Sequence, residues 1–319
     1  MSAMALPVGA ESLLDPPPAL GLRIAAPAPP ASAGVATDAV GHPARHAWYP
    51  TSPCGDACHT GDVADTAPAG AVLVVARLLR LLWIALVVLA AGVAVTPLPR
   101  LVRRSYLRWA SRALLRAIGV EMAVDDRRPF ASNGRGLVVA NHISYLDILA
   151  VAAITPAYFV AKSDVASIPG IAVLARRLGV ITIDRESLRS LPGTLDRAVD
   201  GLHGDASVAV FPEGTTWCGR GRGAFRPAFF QAAIDAGVPI LPIGLGFTVD
   251  GRLSTVPGFI GDDGPADTLR RVIGTRGLTV HVCVHEPQLP ISDRRTLAAR
   301  CEELIGRHPV SGIPAPAHR

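Results

Sequence analysis

Short apolar runs alternate with helical patterns through much of this chain, and this alternation limits the possible folds more than any other feature. Strand-like runs lie near residues 158–161, 180–184, 206–211, 240–245 and 279–284, and helical patterns lie near 168–178, 188–203 and 227–236. A helix between two strands returns the chain to the same edge of a sheet, so successive strands run parallel. We therefore expect an α/β domain with a mostly parallel sheet flanked by helices.

A histidine and an aspartate lie where another strand meets its helix. An apolar run at 136–140 is followed by His142 and then Asp147. Side chains five residues apart cannot share one face of a continuous helix, so we expect a break between them. Ser144 is predicted to cap a helix beginning at Tyr145, which lets Asp147 reach back to the imidazole. A general base needs such a partner, although the same residues could form only a capping box.

A second polar motif, Phe211-Pro-Glu-Gly-Thr215, follows the apolar run at 206–210. Ligands of open α/β sheets bind outside the carboxyl ends of the strands, so this motif and His142 can face one crevice. Glu213 could otherwise be a solvated charge or a cap on an exposed turn. Two motifs at two strand ends favour a catalytic site.

These motifs resemble those of the glycerolipid acyltransferase family, whose best-known members are the 1-acyl-glycerol-3-phosphate (lysophosphatidate) acyltransferases. The resemblance begins with Asn141-His142 and Asp147 and continues with Phe211–Thr215. Residues 179–185 resemble the second motif of the family, and 238–243 resemble the fourth. Lys162 resembles a further family lysine. The resemblance extends over roughly 101–287.

The resemblance implies a reaction without an acyl-enzyme. His142, oriented by Asp147, would deprotonate the free hydroxyl of a lyso-lipid, which attacks the thioester of acyl-CoA or acyl carrier protein. No cofactor beyond this co-substrate is implied, and no metal ligand is assigned. The implied contacts are Glu213, Gly214 and Thr215 for the acceptor, Arg185 for its phosphate, and Lys162 for phosphate or thioester. For Arg185 an ion pair with Asp184 or Glu186 is the alternative, and for Lys162 a surface position.

Two departures from the family pattern leave the acceptor open. Thr216 stands where many members have arginine, and Lys162-Ser-Asp164 replaces the usual Lys-x-Glu. Arg220, Arg222 or Arg226 could supply the missing cation. The expected acceptor is lysophosphatidate, with lyso-ornithine lipid or another lysophospholipid as alternatives. A thioester hydrolase and a non-catalytic lipid-binding protein are the alternative classes.

The chain before this domain divides into two parts. Residues 1–70 are rich in proline and alanine and lack periodicity, which predicts a disordered tail. Cys54, Cys58 and His59 miss the haem-attachment spacing by one residue. A metal role for His42, His46 or His59 is less favoured than a solvated tail. Five widely scattered cysteines indicate a reducing compartment without a disulfide framework.

Residues 71–120 are predicted to associate with a membrane. An apolar segment at 71–95 either spans the bilayer or embeds as a hairpin, with a buried core helix as the less favoured alternative. A basic amphipathic helix follows, or else a domain helix with a solvated arginine face; its arginines are Arg103, Arg104, Arg108, Arg112 and Arg116. Arginines after the apolar segment predict a catalytic domain on the cytoplasmic side.

The basic charge of the chain indicates its partners, and its composition indicates the bounds of the catalytic domain. A pI near 9.3 favours anionic partners such as lipid head groups and CoA phosphates over nucleic acid, for which no binding signature is present in the sequence. The catalytic domain is expected over 121–307, with a surface insertion at 250–275 and a frayed end at 308–319.

Overall fold

The computed structural model describes residues 49–59, 68–129, 135–162, 180–183, 188–204, 206–291 and 293–307. Its helices are α1 Ala71–Val95, α2 Arg100–Ala117, α3 Leu146–Ala152, α4 Leu191–His203, α5 Ala228–Asp235, α6 Pro265–Ile273 and α7 Arg294–Gly306. Its strands are β1 Glu121–Asp126, β2 Leu137–Ala140, β3 Ala157–Lys162, β4 Ile181–Ile183, β5 Ser207–Val210, β6 Ile240–Val249, β7 Arg252–Leu253 and β8 Leu278–Val284. Single 3₁₀ turns lie at Asp56–Cys58 and Leu188–Ser190.

The strands form one sheet in the order β1-β8-β6-β2-β5-β3-β4, with β7 paired to β6. From β6 to β4 neighbouring strands run parallel, whereas β8 runs antiparallel to β6. The expected mostly parallel sheet is therefore confirmed. β2 lies between β5 and β6, and its four residues are all buried. The residues that follow β2 and β5 consequently emerge side by side at one edge of the sheet.

Alternating side chains divide the core between the two faces of the sheet. On β2, Val138 and Ala140 join the cluster under α2, α3 and α6, while Leu137 and Val139 join the cluster under α4, α5 and α7. Both clusters include large side chains that are fully buried, such as Phe247 in the first and Phe230 in the second. Helices thus cover both faces, as a parallel sheet requires.

The predicted strands and the helices near 188–203 and 227–236 are confirmed within a few residues, while 168–178 lies outside the described residues. The prediction of a surface insertion at 250–275 is wrong. This stretch contains α6, and residues 253–258 are buried. Arg271 of α6 explains why, because its guanidinium donates to the carbonyl oxygens of Val256 (3.2 Å) and Gly258 (2.8 Å) and pairs with Asp263 (2.6 Å).

Part of the predicted disordered tail is also ordered against the domain. The Thr255 hydroxyl donates to the carbonyl oxygen of Cys58 (2.9 Å), and the Cys218 N–H donates to Cys54 Sγ (3.3 Å). Pro68 forms an antiparallel bridge with Thr275. Specific hydrogen bonds, which composition does not reveal, hold residues 49–59 in place. The domain boundaries at 70, 120 and 307 stay a prediction, and 308–319 lies outside the described residues.

α1 and α2 form an antiparallel pair beside the sheet. α1 is long and apolar enough to cross a membrane, with a mean hydropathy of 2.5 over a window that is only 6% buried. Its Arg77 is buried and donates to the carbonyl oxygens of Ile273 (2.7 Å) and Thr275 (2.6 Å). Arg80 donates to Ala117 O at the end of α2. Cations at helix carboxyl ends satisfy orphan carbonyls, so these arginines fasten α1 to the domain.

Candidate active site

The turn between β2 and α3 is built around the Asp147 carboxylate. Asp147 lies in the first turn of α3 and is fully buried. Its Oδ2 lies 2.9 Å from His142 Nδ1 and accepts the N–H groups of Ile143 (2.6 Å) and Ser144 (2.8 Å). Orientation of the imidazole and capping of the turn, which the sequence posed as alternatives, are therefore both performed by one oxygen. α3 begins at Leu146, whose N–H donates to Ser144 Oγ (3.3 Å).

The His142 ring is held on its face as well as at its edge. It stacks on Phe211, with ring centroids 4.0 Å apart and planes 11° apart. Because Nδ1 faces an ionised carboxylate, it carries the proton of the neutral ring, which leaves Nε2 with the lone pair. The side chain of His142 is 14% exposed, so it is open to a substrate in a way that Asp147 is not. The geometry is that of a positioned general base.

Glu213 lies under the same turn and is not on an exposed loop. Its side chain is buried, with Oε2 accepting the N–H of His142 (2.7 Å) and Oε1 accepting the N–H of Gly223 (3.0 Å). Burial, helped by the nearby charge of Asp147, raises the pKa of Glu213 to about 8 against the lowering effect of these two N–H donors. The alternative that Glu213 is a solvated charge is excluded, because the side chain is buried and both of its oxygens accept backbone N–H groups.

Two more chain segments hold the catalytic turn through its carbonyl groups. The Trp217 N–H donates to His142 O (2.8 Å), and the Phe259 N–H donates to Ile143 O (2.9 Å). The Thr216 hydroxyl donates to Phe259 O, which joins the two segments to each other. Asn141 fastens the end of β2 to β6, since its amide accepts the N–H of Leu245 (2.7 Å) and donates to its carbonyl (2.9 Å). Backbone hydrogen bonds from two segments and the side-chain hydrogen bonds of Asn141 thus fix the position of the turn.

The predicted site residues are only partly brought together. His142, Asp147, Glu213, Gly214 and Thr215 lie at the shared edge of β2 and β5. Gly214 has φ +77°, a conformation that favours glycine, and Pro50 lies against it. Arg220 follows in the same loop and is half-buried. The Lys162 backbone belongs to β3, and its side chain and Arg185 lie outside the described part of the chain.

Some residues of the site were missed in the sequence. Phe211, Trp217 and Phe259 contact the catalytic turn, and only Phe211 carried a signal, since it directly precedes the Pro-Glu-Gly-Thr motif. Three of the five free cysteines come together in space although they are scattered in the sequence. The Sγ atoms of Cys54, Cys58 and Cys218 lie within 4.8 Å of one another beside the loop that follows Glu213.

A cavity of about 650 Å³ lies elsewhere, between α1, α2 and α4. Ala157 and Ala206, at the amino ends of β3 and β5, contribute to its lining. His142 follows the carboxyl end of β2, so the cavity and the catalytic turn lie at opposite edges of the sheet. It therefore takes no part in the chemistry of His142.

Comparison with known proteins agrees with this site. A family model described as Acyltransferase matches residues 121–246, a range that includes His142, Asp147 and Glu213. The chain is 34% identical over 198 residues to a 1-acyl-sn-glycerol-3-phosphate acyltransferase of Neisseria meningitidis, covering 61% of this chain and 76% of the relative. It is 32% identical over 237 residues to a lyso-ornithine lipid O-acyltransferase of Pseudomonas aeruginosa, covering 73% and 88%. The chain belongs to the acyltransferase family.

As a member of this family the protein is an enzyme, and the resemblance deduced from its motifs is confirmed. The crystal structure of the 1-acyl-sn-glycerophosphate acyltransferase from Thermotoga maritima superposes with a TM-score of 0.52 at 22% identity, covering 72% of this chain and 93% of the other. At that identity the superposition shows a shared fold. The family match begins at residue 121 and ends at residue 246, so Cys54 lies before it and the 254–263 segment lies after it.

The Asp147–His142 contact predicts a large catalytic effect of Asp147→Asn. The amide oxygen can keep the three N–H contacts, but the charge that stabilises an imidazolium is lost. We expect acyl transfer by the purified variant to fall by at least ~100-fold in kcat with little change in KM. Asp267→Asn is the matched control, because Asp267 also accepts a backbone N–H near the start of a helix, from Gly264 (2.9 Å), but lies away from the turn. Equal activities of the two variants would contradict the assignment.

Glu213 predicts a pH-dependent term in stability. The folded carboxyl has its pKa raised from 4.5 to about 8, so between these values the folded protein binds a proton that the unfolded chain lacks. This contribution is complete below about pH 4.5 and is lost as the pH rises through about 8, by at most ~1.4 kcal/mol per pH unit. Thermal unfolding of wild type and Glu213→Gln measures it. The stability of wild type relative to the variant should decline over this window, and a constant difference would disprove the raised pKa.

Proposed function

We propose that this enzyme transfers a fatty acyl group from a thioester donor, acyl-CoA or acyl carrier protein, to the free hydroxyl of a lyso-lipid. The observation that carries the proposal is the 2.9 Å contact between His142 Nδ1 and Asp147 Oδ2, with the His142 side chain 14% exposed and Asp147 fully buried. This geometry supplies a base for a hydroxyl group. The named activities of the relatives from Neisseria meningitidis and Pseudomonas aeruginosa support a lyso-lipid as the acceptor.

His142 can serve both as the general base and as the general acid of this reaction. Nε2 of His142 takes the proton of the acceptor hydroxyl while the alkoxide oxygen attacks the thioester carbonyl carbon. The tetrahedral intermediate collapses, the C–S bond breaks, and the imidazolium returns the proton to the departing thiolate. Asp147 stabilises the imidazolium between these two steps without taking the proton itself. The products are the ester of the acceptor and a free thiol.

The burial of Glu213 supports a positioning role for this carboxyl. Its two oxygens hold the N–H groups of His142 and Gly223, so the carboxyl fixes the distance between the catalytic turn and the loop after β5. Gly214 and Thr215, the next residues, remain the proposed contacts of the acceptor. Gly214 has a positive φ at the point where the backbone bends, and Pro50 occupies the space that a side chain would take.

We propose lysophosphatidate as the acceptor and Arg226 as the group that holds its phosphate. Arg226 is exposed, and its Nε lies against Gly214. A planar guanidinium at that position suits a phosphate monoester. Arg222 is also exposed, but its guanidinium lies against Gly306 at the end of α7. Arg220 stays a second candidate because it belongs to the same loop.

One observation favours lyso-ornithine lipid as the second candidate acceptor. The position that carries arginine in many family members is Thr216 here, and its hydroxyl is engaged by Phe259 O. A phosphate contact is therefore missing at that position. The relative from Pseudomonas aeruginosa, which is matched over 88% of its length, is named as a lyso-ornithine lipid O-acyltransferase.

We further propose that α1 and α2 embed in one leaflet and that the catalytic domain faces the cytoplasm. Arg77 and Arg80 are bound to the domain, so only Leu81–Val95 can extend from it. This stretch rises about 22 Å at ~1.5 Å per residue, less than the ~30 Å hydrocarbon core. α2 returns to the domain with arginines along its whole length, which suits head groups and opposes a second crossing.

Acyl transfer by the full-length enzyme in phospholipid vesicles tests the proposed reaction. Labelled acyl-CoA or acyl carrier protein is offered with lysophosphatidate, with lyso-ornithine lipid, or without acceptor, to wild type and His142→Ala. We expect phosphatidate from wild type and a loss of at least ~100-fold in the variant. Preference for lyso-ornithine lipid would replace the proposed acceptor, and donor cleavage that is independent of acceptor would make the enzyme a hydrolase.

The same assay tests the phosphate contact with two matched variants. We expect Arg226→Gln to raise KM for lysophosphatidate by about 10-fold or more, as the loss of a charged hydrogen bond costs ~1.5–3 kcal/mol. Arg222→Gln should leave this KM near the wild-type value. If both variants behave alike, Arg226 does not bind the phosphate.

Cysteine labelling in intact cells tests the membrane arrangement. Leu98→Cys marks the connection between α1 and α2, and Arg252→Cys marks an exposed position on the domain. With an impermeant maleimide we expect Arg252→Cys to react only after the cells are opened, and Leu98→Cys to stay unreactive until detergent dissolves the membrane. Reaction of Leu98→Cys in intact cells, without reaction of Arg252→Cys, would mean that α1 spans the bilayer.

A further inference from the structure

Three cysteines that the catalytic mechanism does not use come together beside the active site. Cys54 and Cys58 belong to the 49–59 segment, and Cys218 belongs to the loop after β5. Their Sγ atoms all lie within 4.8 Å of one another. All three are free thiols, and Cys218 is buried with 4% of its surface exposed. Two distant parts of the chain therefore converge on one small group of soft donor atoms.

Backbone N–H groups point at these sulfur atoms. The Cys218 N–H donates to Cys54 Sγ (3.3 Å), and the N–H groups of Gly221 and Arg220 donate to Cys218 Sγ. Hydrogen bonds to the charged form of a group stabilise that form, so this pocket suits a thiolate.

We propose that Cys54, Cys58 and Cys218 bind a zinc ion that fastens the 49–59 segment to the loop of the active site. Zn–S bonds of ~2.3 Å in a tetrahedral site place sulfur atoms about 3.8 Å apart, which is compatible with three Sγ atoms that lie within 4.8 Å of one another. Thiolates select zinc over magnesium or calcium, which prefer oxygen ligands. His59 follows Cys58 in sequence, but its Nε2 faces Asp263 Oδ2 at 3.4 Å. The fourth position of the ion is left to a water molecule or another small ligand.

The ion has a structural consequence for catalysis because of what lies on either side of Cys218. Trp217, the preceding residue, donates its N–H to His142 O. Pro50, near the start of the tethered segment, lies against Gly214 of the acceptor motif. A zinc ion bound by Cys54, Cys58 and Cys218 would thus keep Pro50 against Gly214. It would also hold the loop whose Trp217 N–H donates to the catalytic turn.

Metal analysis of the full-length protein, purified in detergent with a thiol reductant, tests the proposal. We expect about one zinc ion per chain in wild type. Cys54→Ser, Cys58→Ser and Cys218→Ser should each weaken zinc binding by more than ~100-fold, since even outer-shell partners of a metal contribute ~10–100-fold. Cys283→Ser is the control, because this buried cysteine contacts Asp125 at 3.7 Å in another part of the fold. It should keep its zinc.

A second measurement on wild type alone keeps the test valid if a variant fails to fold. Alkylation of each cysteine is followed by mass spectrometry before and after a chelator removes the metal. We expect Cys54, Cys58 and Cys218 to become reactive together as zinc leaves. Wild type that binds no zinc when zinc and reductant are both supplied would overturn the proposal, as would zinc retained in the triple serine variant. A disulfide between two of the three under the same conditions would replace the zinc site with a redox pair. Metal content is read without acyl transfer, so this result stands apart from the proposed reaction.

Discussion

The Asp147 carboxylate is the interaction on which the rest of the site depends. A buried anion is unfavourable unless it is paired and hydrogen-bonded. Here Oδ2 meets the His142 ring and two backbone N–H groups, so the charge that orients the base also folds the turn that carries it. The contacts of Oδ2 offset part of the cost of burying this charge, while Oδ1 has no hydrogen-bond partner among the described residues. The same contacts consequently determine both the catalytic geometry and the local fold of the turn.

The turn is rigid because distant segments complete its hydrogen bonds. Glu213 receives the N–H of His142, Trp217 donates to its carbonyl, and Phe259 donates to the carbonyl of Ile143. These partners come from the loop after β5 and from the segment between β7 and α6. Neither segment reaches the turn unless β2 lies between β5 and β6, so the strand order of the sheet is a condition for the site.

The catalytic pair and the sheet could be predicted from the sequence, because both depend on local patterns. Apolar runs mark β2 and β5 wherever they pair, and the spacing of His142 and Asp147 requires a turn in any fold. Glu213 was harder to place, since an acidic residue after a strand resembles a surface charge and its burial depends on N–H groups from two other segments. The 250–275 segment misled for a similar reason. Its glycines and acidic residues suggest exposure to solvent, but the Arg271 guanidinium donates to two of its carbonyl groups and so allows this backbone to be buried. The meeting of Cys54 and Cys58 with Cys218 has no local signal, because Cys54 and Cys218 are 164 residues apart in the sequence.

Arg77 does more than attach α1 to the domain, because it also connects α1 to the catalytic turn. It binds the carbonyl groups of Ile273 and Thr275 at the end of α6, and α6 carries Arg271, which holds Val256 and Gly258. Phe259, the next residue, donates its N–H to the catalytic turn. A continuous series of hydrogen bonds, made by two arginine side chains and by backbone groups, therefore leads from α1 to the catalytic turn. With α1 embedded in lipid as proposed, its depth and tilt would be boundary conditions on the geometry of His142.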